Sequence, residues 1–274
     1  MRTSAQEQGE DAHLVLSEFD NGLLRLTMNN PQRRNALSEA MLDRLQEAVD
    51  TASANEAVGC VIIAARGPVF SSGHDLKELR GHRQDRDGGR DFFASIMARC
   101  SQLMQSIVLM QKPVIAEVQG LASAAGLQLA SSCDLIVAAR TAGFCTPGVN
   151  IGLFCSTPMV ALTRAVPARH ALEMLLTGDI YPAEEAHRFG LVNRVVSDNR
   201  LQKETEELAR KLMSKSLEAI AIGKRAFTAQ QRLSLDHAYT HCSKVMVDNL
   251  LMNEADEGIE AFLEKRQPKW PGRQ

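Results

Sequence analysis

The chain has 274 residues, of which 45% are hydrophobic and 23% are charged, and its formal net charge at pH 7 is −2. These proportions are those of an ordinary globular protein with one large domain and room for a small appended one. Because acids and bases nearly balance, charge gives no reason to expect a nucleic acid or another polyanion as a partner.

Cysteine and histidine spacing argues against a disulfide framework and against a metal site. The six cysteines form no C-x-x-C pair and lie mostly among apolar residues, which is typical of buried, reduced thiols. The seven histidines show no H-E-x-x-H or similar spacing, so we expect no metal. Apolar runs stay shorter than the ~18 residues of a membrane span, so we expect no span.

Residues 1–13 are polar and include the acids Glu7, Glu10 and Asp11. Secretory leaders have an apolar core, and mitochondrial leaders are rich in arginine and poor in acids. The composition therefore predicts a disordered tail over 1–13 rather than a leader, and on that basis we expect a cytoplasmic protein.

The N-terminal quarter predicts a hairpin, a helix and a buried strand. Segments 14–19 and 23–28 flank an Asn21-Gly22 pair, which favours a tight hairpin turn. Ser38 is a suitable N-cap for a helix, and the apolar run at 60–65 is too short for a helix, which makes it a strand. Apolar residues on one face of that helix are Met41, Leu45, Ala48, Val49 and Ala52.

The middle of the chain alternates between predicted helices and strands. An amphipathic helix is predicted over 92–107, after a charged loop at 81–90. Strands at 114–118 and 135–139 then flank a helix at 124–132. Strand, loop and helix repeating in this way indicate an α/β fold with partly parallel strand pairing.

From Pro158 onward the pattern is helical almost to the end of the chain. We therefore divide the chain into an α/β core at 14–195 and a helical lid or oligomerisation region at 196–274. The predicted helical segments are 169–177, 182–188, 200–213, 216–231, 235–252 and 254–265.

Two loops, at 71–75 and 120–126, each join a predicted strand to the start of a helix. The first amides of a helix lack internal acceptors and lie at the positive end of the helix dipole. If the two helix starts converge, their amides would form an oxyanion hole for charge that develops on a carbonyl oxygen. The alternative is a pair of ordinary strand–helix corners, and the sequence leaves both open.

Seven motifs follow one another along the chain and together resemble those of the enoyl-CoA hydratase/isomerase (crotonase) superfamily. The resemblance spans residues 14–270 and is closer to the enoyl-CoA hydratase domain-containing protein 3 group at 71–79, 152–158 and 246–250. The motifs are Arg34-Asn35-Ala36-Leu37, Phe70-Ser71-Ser72-Gly73-His74-Asp75-Leu76, Lys112-Pro113-Val114-Ile115-Ala116, Cys133-Asp134, Leu175-Leu176-Thr177-Gly178, residues 183–186 and Gly190-Leu191-Val192.

This resemblance implies a spiral of ββα units, a C-terminal helical trimerisation region, and trimers that often pair into hexamers. It also implies a CoA thioester whose carbonyl lies between two backbone amides, those of His74 and Ala125. Because amides do this work, the side chains at those two positions need not destroy the hole. Coenzyme A enters as part of the substrate or ligand, with no separate catalytic cofactor.

The resemblance also assigns residues to the CoA molecule. Arg34 and Ala36 occupy positions that contact the adenine and pantetheine of CoA in the family. Phe262 and Lys265 occupy positions expected to contact the nucleotide bound by a neighbouring subunit. Asp75 is also expected to cap a helix. The remaining positions expected to line the CoA site are Ser72, His74, Asp75, Leu76, Leu121 and Gly126.

Two positions that usually carry glutamates in the family are occupied here by Gln128 and Gly148. A glutamine can form hydrogen bonds but cannot take up a proton at useful pH, and glycine has no side chain. Since a general acid or base typically contributes ~10² to 10⁴ in rate, we do not expect efficient hydration by the usual mechanism.

Other side chains near these positions are candidates to replace the glutamates. The His74 imidazole has suitable chemistry at neutral pH, although the family uses the backbone at that position. Cys145 and Cys155 would need a nearby base to act as nucleophiles. The polar residues Asn150, Ser156 and Thr157 either hold a water molecule or are structural residues of the pocket wall and of the turn.

Two functions remain open at this point. The first is an enzyme of the hydratase or isomerase class that acts on an acyl-CoA thioester through a stabilised enolate. The alternative is an acyl-CoA binder, carrier or regulatory subunit on the same fold that does not hydrate its ligand. They differ in whether a proton-transfer group lies within reach of the thioester.

Overall fold

A computed structural model describes residues 13–271, so the predicted tail lies outside the described residues apart from His13. In this part of the chain, a six-stranded and a four-stranded sheet are surrounded by helices. The strands are β1 Val15–Asp20, β2 Leu23–Met28, β3 Cys60–Ala65, β4 Val69–Ser71, β5 Val114–Val118, β6 Leu121–Ser123, β7 Leu135–Ala139, β8 Gly143–Cys145, β9 Tyr181–Pro182 and β10 Arg194–Val196.

The helices bear out the predicted helical segments to within a few residues at each end. Short 3₁₀ turns lie at Pro31–Arg33, Pro147–Ile151 and Asp198–Arg200. The α-helices are α1 Glu39–Ala54, α2 Leu76–His82, α3 Arg90–Leu109, α4 Ala125–Ser132, α5 Ser156–Ala165, α6 Ala168–Thr177, α7 Ala183–Arg188, α8 Leu201–Met213, α9 Leu217–Gln230, α10 Leu235–Leu250 and α11 Asn253–Leu263.

From β3 to β8, consecutive strands alternate between the two sheets. The larger sheet has the order β1-β2-β3-β5-β7-β10, and the smaller has the order β4-β6-β8-β9. The chain thus passes from β3 to β4, from β5 to β6 and from β7 to β8, placing one strand in each sheet on each pass. Most neighbours are parallel. This is the spiral of ββα units that the resemblance implies, and the α/β prediction is confirmed.

Local sequence signals act as predicted in the first hairpin and the first helix. Asn21 (φ 47°) and Gly22 (φ 83°) both have positive φ, as a two-residue hairpin turn between right-twisted strands requires. The Ser38 side chain caps α1 by accepting a hydrogen bond from the Met41 amide at 3.3 Å. The predicted apolar face of α1 is buried in the core, except that Ala48 is only partly buried.

Several short strands were missed by the sequence reading. Strands β9 and β10 lie between the predicted helical segments after Pro158, apart from Pro182, and neither was predicted. The second sheet, whose strands are two or three residues long, was not predicted. Runs this short carry no measurable periodicity, so only their partners across the sheet define them as strands.

Glu117 of β5 is a buried acid. Glu117 is only 8% exposed, and its carboxylate accepts two hydrogen bonds from Arg25 on β2, at 2.7 and 3.1 Å. Glu206 of α8 also accepts from Arg25, at 3.1 Å. The three side chains join β2, β5 and α8, so α8 is tied to the large sheet through the largely buried Arg25 and the half-exposed Glu206.

Helix α3 is long and apolar enough, by length and composition, to cross a membrane. It is the one such helix among residues 13–271. Its apolar face packs against α1 and joins the core, as amphipathic helices of globular proteins do. The buried residues of that face are Ile96, Cys100, Leu103, Met104 and Ile107.

Removing the Glu117 carboxylate should cost much more stability than removing a surface acid. In Glu117→Ala, Arg25, whose side chain is only 11% exposed, keeps only Glu206 as an acidic partner, and we expect the free energy of unfolding to fall by about 3 kcal/mol. Glu47, which pairs with Arg44 at the surface, is the matched control. Its alanine variant should lose under about 0.5 kcal/mol. Urea titration of both variants measures this, and equal losses would contradict the account.

Candidate active site

The two predicted strand–helix corners lie side by side because their strands are neighbours. Strands β4 and β6 are parallel and adjacent, with Ser71 opposite Ala122. The loops that follow them, leading to α2 and α4, therefore leave the small sheet at the same edge. Convergence of the two helix starts, which the sequence left open, follows from this pairing.

Two glycines show how closely the corners approach. A β-carbon on Gly126 would lie 2.3 Å from the carbonyl oxygen of Ser71. A β-carbon on Gly73, whose φ is +84°, would lie 3.1 Å from the Ala125 nitrogen. Both distances are shorter than ordinary van der Waals contacts, so backbone touches backbone and only glycine fits.

Two amides at this junction have no acceptor among the described residues. Within residues 13–271, the main-chain amides of His74 and Ala125 donate no hydrogen bond, and Ala125 is the first residue of α4. The amides that immediately precede them are used: Gly73 donates to the Ser71 hydroxyl at 3.3 Å, and Ala124 donates to the Cys145 carbonyl at 3.0 Å. Two unpaired donors at contacting helix starts are the arrangement that an oxyanion hole requires.

Ala124, immediately before one of these amides, has a strained backbone. Its φ of 49° and ψ of −116° place a non-glycine residue in a sparsely populated region. Its conformation is held by the bond to Cys145 and by the Gln128 amide, which donates to the Ala124 carbonyl at 3.0 Å. Strain of this kind costs about 1–3 kcal/mol and is concentrated at functional sites.

The Arg34–Leu37 motif is bonded to the first corner. Buried Asn35 donates to the carbonyls of Arg66 (2.9 Å) and Val69 (2.8 Å), and its own carbonyl accepts from the Ser71 hydroxyl at 2.8 Å. The Leu37 amide donates to the Gly73 carbonyl at 2.8 Å. Asn35 is thus a structural anchor that the sequence reading did not single out.

The two residues of the Arg34–Leu37 motif that are predicted to contact CoA differ in exposure. Arg34 is exposed, with a left-handed backbone (φ 54°), and Ala36 is buried. Of the other predicted lining residues, Ser72 and Leu121 are half-buried and Leu76 is exposed.

Asp75 caps helix α2, as the sequence predicts. Its Oδ1 accepts from the amides of Lys77 (2.9 Å) and Glu78 (3.2 Å), and its Oδ2 lies 3.2 Å from Arg33 Nη2. With both oxygens engaged, this carboxylate is occupied in holding the corner rather than available as a base.

The His74 imidazole is held neutral. Its Nδ1 lies 3.3 Å from the Leu37 carbonyl oxygen, and its Nε2 is buried without a partner in the described chain. Burial lowers its pKa below the ordinary value, and the Leu37 contact opposes that shift. With the proton assigned to Nδ1 by this contact, Nε2 is a bare acceptor.

The two positions that lack glutamates have different surroundings. Gln128 is 4% exposed, and its side-chain Oε1 has no hydrogen-bond partner in the described residues. At Gly148, a β-carbon would lie 2.8 Å from the Leu153 carbonyl oxygen and 2.9 Å from the Cys155 sulfur. The turn after Gly148 therefore fills the space that a side chain would need.

The candidate substitutes are engaged or unreactive. Asn150 is exposed and packs against Gly178 at the end of α6, and Ser156 is an exposed first residue of α5 whose hydroxyl donates to the Phe154 carbonyl at 3.3 Å. Burial raises the pKa of the Cys145 and Cys155 thiols, so both stay protonated at neutral pH. None of these side chains is poised as an acid or base.

Phe262 and Lys265 lie at the C-terminal end of the last described helix. Phe262 lies on α11 and is 82% exposed, and Lys265 follows the same helix with a left-handed backbone (φ 58°). Helix α11 packs against α10.

The comparisons with known proteins agree with this geometry. The enoyl-CoA hydratase/isomerase family model matches residues 18–273, and the chain belongs to that family. Enoyl-CoA hydratase domain-containing protein 3, mitochondrial, of Rattus norvegicus is 46% identical over 269 residues, covering 97% of this chain and 88% of the relative. The Homo sapiens protein of that name is 49% identical over 249 residues, covering 91% and 80%. The predicted likeness to this group is confirmed.

Solved structures show the same fold. The crystal structure of human enoyl coenzyme A hydratase domain-containing protein 3 has a TM-score of 0.89 at 47% identity, covering 94% of this chain and 100% of that one. That of an enoyl-CoA hydratase from Mycobacterium smegmatis has a TM-score of 0.89 at 45% identity, covering 94% and 98%. The crotonase spiral is thereby confirmed.

The prediction of a cytoplasmic protein is contradicted by these comparisons. The relatives from Rattus norvegicus, Mus musculus, Danio rerio and Homo sapiens are all named mitochondrial, which points to mitochondria instead. The prediction was based only on the composition of residues 1–13, which lacks the features of a leader sequence.

The contact between the corners predicts opposite effects for two helical glycine-to-alanine changes. Gly126→Ala places a methyl group against the Ser71 carbonyl and should lower the free energy of unfolding by about 3 kcal/mol or more. Gly223→Ala, in open space on α9, should be neutral or stabilise by up to about 1 kcal/mol. Thermal unfolding of the two variants compares them directly. Tolerance of Gly126→Ala would show that the corners are not in contact.

Proposed function

We propose that the protein binds an acyl-CoA thioester with the carbonyl oxygen between the amides of His74 and Ala125, and that it does not hydrate its ligand. The observation that carries this proposal is the pair of unpaired amides at two contacting helix starts. Fixed backbone donors polarise a thioester carbonyl without needing any particular side chain.

Absence of hydration follows from the two altered positions. Hydration requires a group that delivers a proton to one carbon and a group that activates water. Gln128 offers an amide that does not titrate, and the Leu153 carbonyl and Cys155 occupy the space beside Gly148. The site therefore keeps the machinery for carbonyl binding and lacks the usual machinery for water addition.

The proposed ligand extends from the corner along residues that could contact coenzyme A. Exposed Arg34 carries a guanidinium suited to phosphate or adenine, and Ala36 lies beside it. The family likeness supports further contacts from the corner itself. These residues are Ser72, His74, Asp75, Leu76, Leu121 and Gly126. Coenzyme A is part of the ligand, and no catalytic cofactor is proposed.

Self-association through the helical region at 196–274 is the second part of the proposal. Helices α9, α10 and α11 expose large apolar side chains, among them Phe227 (63%), Leu235 (76%) and Phe262 (82%). Contiguous exposed apolar surface marks protein–protein contact. A homotrimer or a dimer of trimers would cover it and would bring Phe262 and Lys265 to a neighbour's nucleotide.

One observation favours a second candidate, an enzyme that forms an enolate. The buried, unpartnered Nε2 of neutral His74 is an acceptor next to an oxyanion amide. Such a nitrogen could remove a proton from the carbon next to the thioester carbonyl. Exchange of that proton with solvent, without hydration, distinguishes this enzyme from a binder.

Calorimetry, enoyl absorbance and proton exchange on one sample test the proposed function. Purified protein should bind crotonyl-CoA, leave the enoyl absorbance unchanged, and exchange no α-proton of butyryl-CoA in D₂O. Exchange that disappears in His74→Phe would establish the enolate-forming enzyme. Hydration that survives Gln128→Ala would mean that another acid–base group acts, and failure to bind any CoA thioester would refute the proposal.

A further inference from the structure

The two unpaired amides of the site are held in direction by different means. Ala125 is the first residue of α4, and the Ala124 carbonyl, in the same peptide group, accepts from the Gln128 amide at 3.0 Å. Helix geometry therefore fixes the direction of the Ala125 amide. His74, in contrast, lies two residues before Leu76, the first residue of α2, so no helix fixes the direction of its amide.

The glycine at position 73 makes the direction of the His74 amide harder to hold. Gly73 has a φ of +84°, and a β-carbon there would lie 3.0 Å from the Ser123 carbonyl oxygen. The close contact between the corners thus requires a residue without a side chain, and glycine leaves the backbone freer to rotate than any other residue. The peptide group that joins Gly73 to His74 must therefore be fixed by hydrogen bonds from elsewhere.

Leu37 provides hydrogen bonds on both sides of this peptide group. Its amide donates to the Gly73 carbonyl at 2.8 Å, and its carbonyl oxygen lies 3.3 Å from Nδ1 of the His74 ring. A carbonyl oxygen only accepts hydrogen bonds, so Nδ1 is the donor. Leu37 is completely buried and pairs with His74 as an isolated parallel bridge.

These two bonds set the direction in which the His74 amide points. In a planar trans peptide group, the carbonyl and the N–H point in opposite directions. Because Leu37 holds the Gly73 carbonyl, the His74 N–H points away from Leu37, and it meets no acceptor among the described residues. The bond from the ring holds the same residue through its side chain, on the other side of the amide.

We propose that the His74 imidazole is a positioning residue for the thioester site: through its bond to Leu37 it holds the amide that receives the thioester oxygen. This inference rests on the proposed function. The role requires no contact between the ring and the ligand, and Nε2 is buried without a partner in the described chain. Burial lowers the pKa of the ring and so favours the neutral form, whose single N–H is then the one donated to Leu37.

Two substitutions at position 74 separate this hydrogen bond from the rest of the ring. Asparagine has a nitrogen at the δ position, as histidine does, and no counterpart of Nε2, so His74→Asn keeps a donor for Leu37. His74→Leu keeps a bulky side chain and has no donor. His187, on α7 and outside both corners, provides the matched control, because its Nδ1 bonds to the Val192 carbonyl at 2.7 Å.

The test is infrared spectroscopy of butyryl-CoA isotopically labelled at the thioester carbonyl, with calorimetric titration of the same ligand. Wild type and His187→Leu should shift the carbonyl stretch to lower frequency by the same amount, because both amides polarise the oxygen. His74→Leu should lose up to about half of that shift and bind about two- to tenfold more weakly, since one donor is misdirected. His74→Asn should restore both the shift and the affinity.

The contrary outcomes separate the positioning role from thioester binding. A full shift in His74→Leu, no recovery in His74→Asn, or an equal loss in His187→Leu overturns the positioning role and leaves thioester binding standing. Loss of folding in His74→Leu also overturns it, since the bond would then serve the fold as a whole. Failure of wild type to bind butyryl-CoA, or binding without any shift, overturns the proposed function itself and this inference with it.

Discussion

The contact between the Ser71 carbonyl and the Gly126 backbone is the constraint on which the rest of the site depends. Because β4 and β6 are adjacent and parallel, their helices start at one edge, and glycine at 126 lets the second helix approach the first corner. Among the described residues, the His74 and Ala125 amides beside this contact donate no hydrogen bond. Asn35 and the strained Ala124 then hold the two corners in place.

This arrangement separates two parts of the chemistry that the family usually combines. Carbonyl polarisation depends on backbone, so it tolerates changes of side chain, including the imidazole at position 74. Proton transfer depends on particular side chains, and here one is replaced by an amide and the other by a glycine against which a turn has packed. The fold therefore remains suited to binding a thioester after the acids for water addition are gone.

Much of the fold could be predicted from local signals. The Asn21-Gly22 turn, the Ser38 cap, the apolar face of α1 and the all-apolar strand β3 each carry their own periodicity or turn chemistry. The small sheet could not be predicted from sequence, because strands such as Tyr181–Pro182 are defined only by the strands they pair with. The pairing of Glu117 with Arg25 could not be predicted for a related reason, since the two residues are 92 positions apart in sequence.

The candidate site was predictable only where a motif carries it. The corner residues follow from the Gly73 and Gly126 motifs, whereas the anchoring role of Asn35 and the filled space beside Gly148 depend on contacts that no spacing encodes. The most direct measurement of the central claim is a crystal structure with bound butyryl-CoA. The account predicts a thioester oxygen about 2.7–3.1 Å from both the His74 and Ala125 nitrogens. A thioester bound elsewhere, or a carboxylate within hydrogen-bond reach of its first acyl carbons, would contradict it.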